Sequence, residues 1–189
     1  MADDDAELTA WALAGGQGDR AAAAALVRAT QQQVRRFLAA LVSPREADDL
    51  TQETFLRAMR SLPSYAGRSS IRTWLLAIAR RVAADHVRTV TSRPRTVPMP
   101  DRYDAPDPAH SGFDRQVMLE RLIAALPTDR REAFVATQVL GLSYAEAAQV
   151  CGCPVGTIRS RVARAREDLV AAVRSRPEPD ARRGGNATG

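Results

Sequence analysis

Apolar positions recur along most of this chain at the three- and four-residue spacing of amphipathic helices, and no stretch alternates as a half-buried strand would. The clearest pattern, over residues 142–166, predicts two short helices around a tight turn. Ser143 with Glu146 three residues later is typical of a capping box at the start of the first helix. Gly152 ends that helix, and Pro154 suits the first position of the next. The arrangement is typical of a helix-turn-helix.

The second helix of this pair is predicted to bury one side and to expose the other. At about 100° per residue, its apolar stripe consists of Ile158, Val162, Ala165 and Leu169. The opposite side carries Gly156, Ser160, Ala163, Arg164 and Glu167, with Arg159, Arg161 and Arg166 on the flanks. Small side chains let a helix approach base edges closely, and arginines pair with guanine edges or phosphates, so this face predicts DNA binding. The alternative is an ordinary helical hairpin with a solvated charged face.

The same spacing predicts further helices on both sides of a proline-rich segment. They are expected over Glu7–Ala14, from Asp19 to about Val42, over Ala47–Ser61, from Ser69 or Ser70 to about Val90, over about Phe113–Leu126, over Thr128–Leu140, and through the helix-turn-helix to roughly Arg174. Five of the 11 prolines lie within residues 92–111, which cannot hold a helix. We therefore predict an all-α protein with two small helical domains, residues 7–91 and 113–176, a flexible linker over 92–112 and a disordered tail over 177–189.

The composition agrees with a nucleic-acid partner without requiring one. The chain carries 27 lysine-plus-arginine residues, all of them arginine, against 22 acidic residues, and its net charge is +5. A GC-rich genome would also favour arginine over lysine. Acidic residues cluster at the amino end, whereas arginines crowd residues 68–95 and 159–176, which indicates faces with different partners.

Membrane, metal and enzyme classes are not indicated. No apolar run approaches the roughly 20 residues that span a bilayer, and the acidic start lacks a signal peptide's basic region, so we expect a cytoplasmic protein without membrane insertion. Cys151 and Cys153 with two distant histidines do not complete a zinc site, and we expect no cofactor. We expect Cys151 to be a small buried residue and Cys153 an N-cap substitute, with a redox or metal role left open. No histidine pair, nucleophile elbow, phosphate-binding glycine loop or carboxylate cluster indicates an enzyme.

Four stretches of the sequence resemble the extracytoplasmic-function sigma factors of bacterial RNA polymerase. They are Ala47–Ala58, Arg72–Arg80, Leu142–Val150 and Pro154–Arg161, in that family's order and spacing. The resemblance covers about residues 7–174, and its details are most similar to the actinobacterial sigma-C branch. It implies a dissociable specificity subunit of the polymerase that directs promoter-specific transcription initiation and has no catalytic activity of its own.

The resemblance also implies the partners of each domain. The first domain, sigma region 2, would bind the clamp helices of the β′ subunit of core RNA polymerase and capture the −10 element of promoter DNA. The second, sigma region 4, would bind the β flap and read the −35 element. Whether an anti-sigma factor holds the chain inactive is left open. The main alternative is a free-standing helix-turn-helix transcriptional regulator, which would not need the acidic third helix or the tryptophan of the fourth.

The predicted polymerase contact lies on the third helix. A polar and then apolar strip at helical spacing consists of Asp49, Gln52, Glu53, Leu56 and Met59. The resemblance implies that the first three contact β′. The same acidic residues would also favour the helix N-terminus electrostatically, and both roles are compatible.

The predicted DNA contacts lie on both domains. For the −10 element they are a loop and a basic helix face, which together can hold unstacked bases: Tyr65, Trp74, Arg80, Arg81, Ala84 and Arg88. Trp74 is interpreted mainly as a core residue, and relatives often carry asparagine at the position of Arg81, so the preferred −10 sequence stays open. For the −35 element the resemblance implies base contacts from Ser160, Ala163 and Arg164, and phosphate contacts from Thr157, Arg159, Arg161 and Arg166.

The linker leaves the arrangement of the two domains open. About 20 residues are enough to let the domains meet, and loop-closure entropy rises only slowly with length. The free chain could therefore dock one domain against the other and hide its DNA-binding faces, or its two domains could tumble independently.

Overall fold

The computed structural model describes residues 2–92 and 111–175, and the side chains of residues 5–92 and 117–175. These residues are helical and form no strand, which confirms the all-α prediction. The first range holds α1 (Ala2–Gly16), α2 (Arg20–Leu41), α3 (Pro44–Ser61), a 3-10 turn (Leu62–Ser64) and α4 (Ile71–Ser92). The second holds α5 (Ser111–Ala124), α6 (Thr128–Phe134), a π turn (Val135–Val139), α7 (Tyr144–Cys151) and α8 (Val155–Arg174). Most of the predicted linker and all of the predicted tail lie outside the described residues.

Within these two ranges, no helix combines the length and the apolar character that crossing a membrane would need.

Local capping sets where the helices of the first unit (α1–α4) begin. Asp19 Oδ1 accepts hydrogen bonds from two following backbone N–H groups at 2.8 and 3.0 Å, which confirms it as the cap of α2. Ser70 Oγ accepts from the Thr73 N–H at 3.2 Å at the start of α4, also as predicted. The predicted start of α3 was wrong, because Ser43 caps that helix and Pro44 occupies its first position. A proline lacks only the N–H that the first turn leaves unpaired, so it begins this helix rather than breaking it.

The first helix is longer than predicted. It runs from Ala2 to Gly16 instead of from Glu7 to Ala14. Aspartates precede Glu7 in the sequence, and acidic side chains stabilise a helix N-terminus because they face the positive end of its dipole. The acidic amino end is therefore part of α1.

The first unit is held together by large apolar side chains. Those buried to 1% exposure or less include Leu26, Phe37, Leu38, Leu75 and Leu76. Burying one such side chain stabilises a fold by about 1.5–3 kcal/mol. Packing of this kind, rather than helix propensity, supplies most of the stability of helices in proteins.

The second unit (α5–α8) contains the predicted helix-turn-helix. The Ser143 N–H donates to Glu146 Oε2 at 2.8 Å and the Glu146 N–H donates to Ser143 Oγ at 3.2 Å, so the capping box is confirmed. Gly152 ends α7 with a φ of 64°, a left-handed conformation that glycine adopts without strain. The next helix begins at Val155, so Pro154 is its N-cap rather than its first residue.

The predicted helix over Thr128–Leu140 keeps α geometry only as far as Phe134. Val135–Val139 form a π turn, in which the Leu140 N–H donates to the Val135 carbonyl at 3.0 Å. Such turns are rare and often occur at functional sites. Apolar spacing alone does not distinguish this turn from a continuing α-helix.

The two units are docked against each other. α4 packs on α7, and α2 packs on α5 and α6, so one cluster of buried side chains continues from the first unit into the second. An ion pair crosses the same boundary, with Arg80 Nε 2.8 Å from Glu132 Oε2. Of the two arrangements that the sequence left open, the structure has the docked one.

Candidate DNA and polymerase interfaces

The outer face of α8 is exposed as the sequence predicts. Its inner side is at most 1% exposed at Ile158, Val162 and Ala165. Ser160, Ala163 and Arg164 lie on the opposite, exposed side. Thr157 is half-buried, and its carbonyl accepts a hydrogen bond from the Ser160 hydroxyl at 2.9 Å. Arg164 makes no hydrogen bond or ion pair within the described ranges, so its guanidinium is available to an external partner.

The flanking arginines of α8 differ in how they are held. Arg161 Nε lies 3.2 Å from Asp129 Oδ2, and the arginine side chain is only 25% exposed. Arg166 is exposed, and its Nη2 donates to Gln138 Oε1 at 2.7 Å. Arg159 is exposed without such a partner among the residues that the structure describes. The positive charge of Arg161 is therefore offset by a neighbouring carboxylate, whereas the described residues place no carboxylate against Arg159 or Arg166.

The residues that hold α8 on this side were missed by the sequence analysis. Asp129 comes from α6 and Gln138 from the π turn, and a third link joins Arg130 Nη1 of α6 to Asp168 Oδ2 of α8 at 2.6 Å. These contacts join residues far apart in the chain. A local pattern cannot reveal them, and only the charge of Asp129 and Arg130 signals that they need partners.

The two cysteines lie at the turn between α7 and α8. Cys151 is 4% exposed, as expected of a small buried residue. Burial raises the pKa of its thiol to about 12, so the thiol is protonated at neutral pH. The prediction that Cys153 is an N-cap substitute was wrong: Pro154 is the N-cap, and Cys153 Sγ instead accepts from Arg161 Nη1 at 3.6 Å. In the described ranges, no group of three or more His, Cys, Asp or Glu side chains could hold a metal ion.

The predicted −10 face of α4 is divided by the docked second unit. Arg81 and Arg88 are exposed, and Ala84 is half-buried. Arg80 points to the boundary instead, where it pairs with Glu132, whose side chain is only 8% exposed. Burial disfavours the charge of Arg80, but the hydrogen bond to Glu132 and the negative charge of that carboxylate together outweigh burial and raise the pKa of the guanidinium. Docking therefore covers one of the four predicted positions on this face and leaves Arg81 and Arg88 exposed, with Arg88 paired to Asp85 on the same helix.

The loop before α4 forms a small cavity of about 100 Å³ against two aromatic rings. Its lining consists of Ser64, Tyr65, Ala66, Arg68, Ser69 and Trp74. The rings of Tyr65 and Trp74 lie 5.4 Å apart between centroids and are tilted by 55°. Tyr65 is buried, which raises the pKa of its hydroxyl, and that hydroxyl donates to the Ser69 carbonyl at 2.7 Å. Trp74 is half-buried, in agreement with its interpretation as a core residue with one accessible edge.

The predicted polymerase strip on α3 separates into an outer and an inner part. Asp49 and Gln52 are exposed, and Leu56, the apolar member of the strip, is 55% exposed. Met59 is half-buried and packs against the core of the first unit. The exposed part thus places two polar groups and one apolar side chain on neighbouring turns.

Glu53 belongs to a charge network between α3 and α4. It accepts from Arg57 Nε at 2.7 Å, and Arg57 Nη1 lies 2.7 Å from Asp85 Oδ2. The hydrogen bonds to Asp85 and Glu53 raise the pKa of Arg57, and Arg57 in turn lowers the pKa of Asp85. Glu53 is therefore less available to a partner than Asp49.

Two family models match this chain. The model for sigma-70 region 2 matches residues 26–93, and the model for sigma-70 region 4 matches residues 116–169. The ECF RNA polymerase sigma factor SigC of Mycobacterium tuberculosis is 56% identical over 172 residues, which cover 90% of this chain and 93% of that protein. The chain belongs to the extracytoplasmic-function sigma factors.

Solved structures agree with this assignment. The sigma factor RpoE of Bartonella quintana, in its complex with the anti-sigma factor NepR, matches with a TM-score of 0.62 and 27% identity, over 80% of this chain and 96% of that one. CnrH, in its complex with the cytosolic domain of CnrY, shares the fold with a TM-score of 0.69 at 23% identity, over 88% of this chain and 97% of that one.

Family membership identifies the role of the protein. It is a sigma factor, which recognises promoters for RNA polymerase, and sigma factors are non-catalytic initiation factors. The alternative of a free-standing helix-turn-helix regulator is not favoured, because the matches include region 2 as well as the helix-turn-helix of region 4.

Proposed function

We propose that this sigma factor binds the β′ clamp helices of core RNA polymerase through the exposed strip of α3. Asp49 and Gln52 would supply polar contacts, and Leu56 an apolar one, at the spacing by which one helix docks on another. The exposure of Leu56 supports this role, since a large apolar side chain gains free energy when a partner covers it. Glu53 would act partly through its pairing with Arg57, and Met59 would support the strip from beneath. The second unit would bind the β flap.

The first unit would capture the −10 element in single-stranded form. The cavity of about 100 Å³ beside Tyr65 and Trp74 offers polar groups and an aromatic edge to an unstacked base. Stacking on an aromatic ring contributes about 1–3 kcal/mol per base. Arg81 and Arg88 would neutralise backbone phosphates next to this cavity, and Arg80 and Ala84 would complete the face once the second unit moves away.

The second unit would read the −35 element with the outer face of α8. The observation that carries this assignment is the exposed Arg164, which lies beside the small residues Ser160 and Ala163 on the outer side of α8 and has no hydrogen-bond or ion-pair partner among the described residues. A guanidinium can pair with the two acceptors of a guanine edge, which discriminates against other bases by about 1–3 kcal/mol. Thr157, Arg159, Arg161 and Arg166 would contact phosphates and thereby set the register of the helix.

The protein would act in the cytoplasm with the polymerase and would have no catalytic activity of its own. An anti-sigma factor is a further partner that we propose, since a solved relative forms such a complex. Such a partner could bind either unit or both, and affinity purification of the full chain from its own cells would identify it.

In vitro transcription tests the proposed function as a whole. Core polymerase is supplied with the purified chain and a promoter library, and the transcribed members are sequenced. We expect shared sequence elements near −35 and −10, and tight binding to core. The isolated chain should bind duplex promoters poorly, because each unit makes only a small contact and needs core to set its separation from the other. Tight, sequence-specific footprints of the isolated chain, without stimulation of core, would support a free-standing regulator instead.

A further inference from the structure

A directional chain of hydrogen bonds leads from α6 to the recognition helix. The Thr137 hydroxyl donates to the Ala133 carbonyl at 2.8 Å, and the same oxygen accepts from Gln138 Nε2 at 3.0 Å. The other end of that amide, Gln138 Oε1, accepts from Arg166 Nη2 at 2.7 Å. Because a guanidinium can only donate, the amide must present its oxygen to Arg166 and its nitrogen to Thr137. Each group in the chain therefore has one defined role.

The π turn contributes to this geometry. Thr137 and Gln138 lie within Val135–Val139, where the backbone hydrogen bonds span one residue more than in an α-helix. The extra residue changes the direction of the side chains that follow it. Thr137 is 8% exposed and Gln138 is exposed, so the buried hydroxyl anchors an amide that reaches the surface beside α8.

A neutral partner holds Arg166 without removing its charge. Arg161, on the other flank of α8, faces the Asp129 carboxylate, which cancels its charge locally. Arg166 uses Nη2 for the amide oxygen, and a guanidinium has five N–H donors, so several remain for another acceptor. An exposed cation that is oriented but not neutralised is suited to a phosphate group, which forms strong charge-assisted hydrogen bonds with arginine.

We propose that Gln138 is a positioning residue for −35 recognition, which orients the Arg166 guanidinium toward a phosphate of the DNA backbone before DNA binds. This inference rests on the proposed function of α8 as the −35 reading helix. Free arginine side chains lose rotamer freedom when they bind, and a side chain that is already oriented loses less. Gln138 would thus increase affinity without touching DNA itself.

A double-mutant cycle in the assembled holoenzyme tests the proposal. The probe is a duplex promoter that the wild-type holoenzyme transcribes from the library above, and its affinity is measured over a range of salt concentrations. Arg166→Ala should weaken binding about tenfold and lower the magnitude of the salt slope by about 0.9, the value for one phosphate. Gln138→Ala should weaken binding about threefold, and it should have no further effect in the Arg166→Ala background.

Arg164 provides the matched control, since it lies on the same helix and does not contact Gln138. In the Arg164→Ala background, Gln138→Ala should keep its full threefold effect. Thr137→Val, which removes the hydroxyl that orients the amide, should weaken binding in the same direction as Gln138→Ala and again only when Arg166 is present. Thermal melts of all variants check that the second unit still folds.

The outcomes separate this proposal from the proposed function. Equal effects of Gln138→Ala in both arginine backgrounds, or no effect in either while Arg166→Ala still weakens binding, would overturn the positioning role alone. No change in affinity or salt slope from Arg164→Ala and Arg166→Ala would overturn both the positioning role and the assignment of α8 to the −35 element.

Discussion

Replacing Glu132 with alanine should release the second unit from the first in the free chain. Glu132 Oε2 lies 2.8 Å from Arg80 Nε across the boundary, and the two side chains are 8% and 31% exposed. Removing one partner of a fully buried ion pair costs about 3–5 kcal/mol, because the other charge is left unpaired. Since water still reaches Arg80, a screened value of about 2 kcal/mol is appropriate here. That free energy lowers the ratio of docked to undocked chain about 30-fold.

Small-angle scattering of the free protein measures this change directly. The wild-type chain should be compact, and Glu132→Ala should move its radius of gyration toward that of a variant whose linker is doubled in length. Glu167→Ala is the matched control, because Glu167 is an exposed glutamate on the outer side of the second unit. It should scatter like the wild type.

Two results would refute this reasoning. A wild-type chain as extended as two untethered domains would show that the units do not dock in solution. A compact Glu132→Ala chain, equal to the control, would show that the apolar contacts of α4 with α7 hold the units together and that the ion pair contributes little.

Three further predictions concern binding and stability. Asp49→Arg should abolish pull-down with core polymerase while leaving the thermal melt within about 0.5 kcal/mol of wild type, because charge reversal at an interface costs several kcal/mol and an exposed helix substitution little. Arg164→Ala should relax base preference within the −35 element, measured by transcription from promoters mutated base by base. An unchanged preference would contradict the assignment of Arg164 to the base-reading side of α8. The Ser43 hydrogen bond lowers the pKa of Glu46, whose carboxylate also contacts His86. The ionised Glu46 therefore stabilises the fold at pH values above its unfolded-state pKa, and this stabilisation is lost as the pH falls through its lowered folded-state pKa. Melts of Glu46→Gln and wild type should therefore differ at neutral pH and converge as the pH falls through the lowered pKa of Glu46, and a constant difference would exclude this linkage.

Local chemistry accounts for what could be predicted from the sequence. The capping box of Ser143 and Glu146, the glycine turn at Gly152 and the buried stripe that includes Ile158 depend on neighbours within one or two turns. Such features can be predicted from the sequence because local side-chain spacing and capping determine them without tertiary contacts. The start of α3 at Pro44 is local too, and it was missed only because a Ser-Pro pair can either end one helix or begin another.

Tertiary contacts account for what could not be predicted. The pairing of Arg80 with Glu132 joins two units across a linker, and no periodicity within either unit relates them. The same is true of Gln138 and Arg166, whose contact also depends on a π turn that the hydrophobic pattern does not reveal. As a result, the sequence predicted which arginines face outward from α8 but not which of them already have partners.

The two roles of Arg80 exclude each other, and this connects the docked structure to promoter recognition. Arg80 lies at the boundary, where the second unit packs on α4 and Glu132 Oε2 is 2.8 Å from Arg80 Nε, so DNA and the second unit compete for this side of α4 and the second unit must leave before the whole predicted face is available. Arg81 and Arg88 remain exposed in the docked chain and could attract DNA nonspecifically, but they lack the neighbouring Arg80. A partner shifts an equilibrium between two states only by the difference in its affinity for them. Core polymerase would therefore supply the free energy that separates the units if its sites for α3 and for the second unit lie too far apart for the docked chain to reach both. Glu132→Ala should therefore increase the apparent affinity for core by up to about 30-fold, the same factor by which it lowers the ratio of docked to undocked chain.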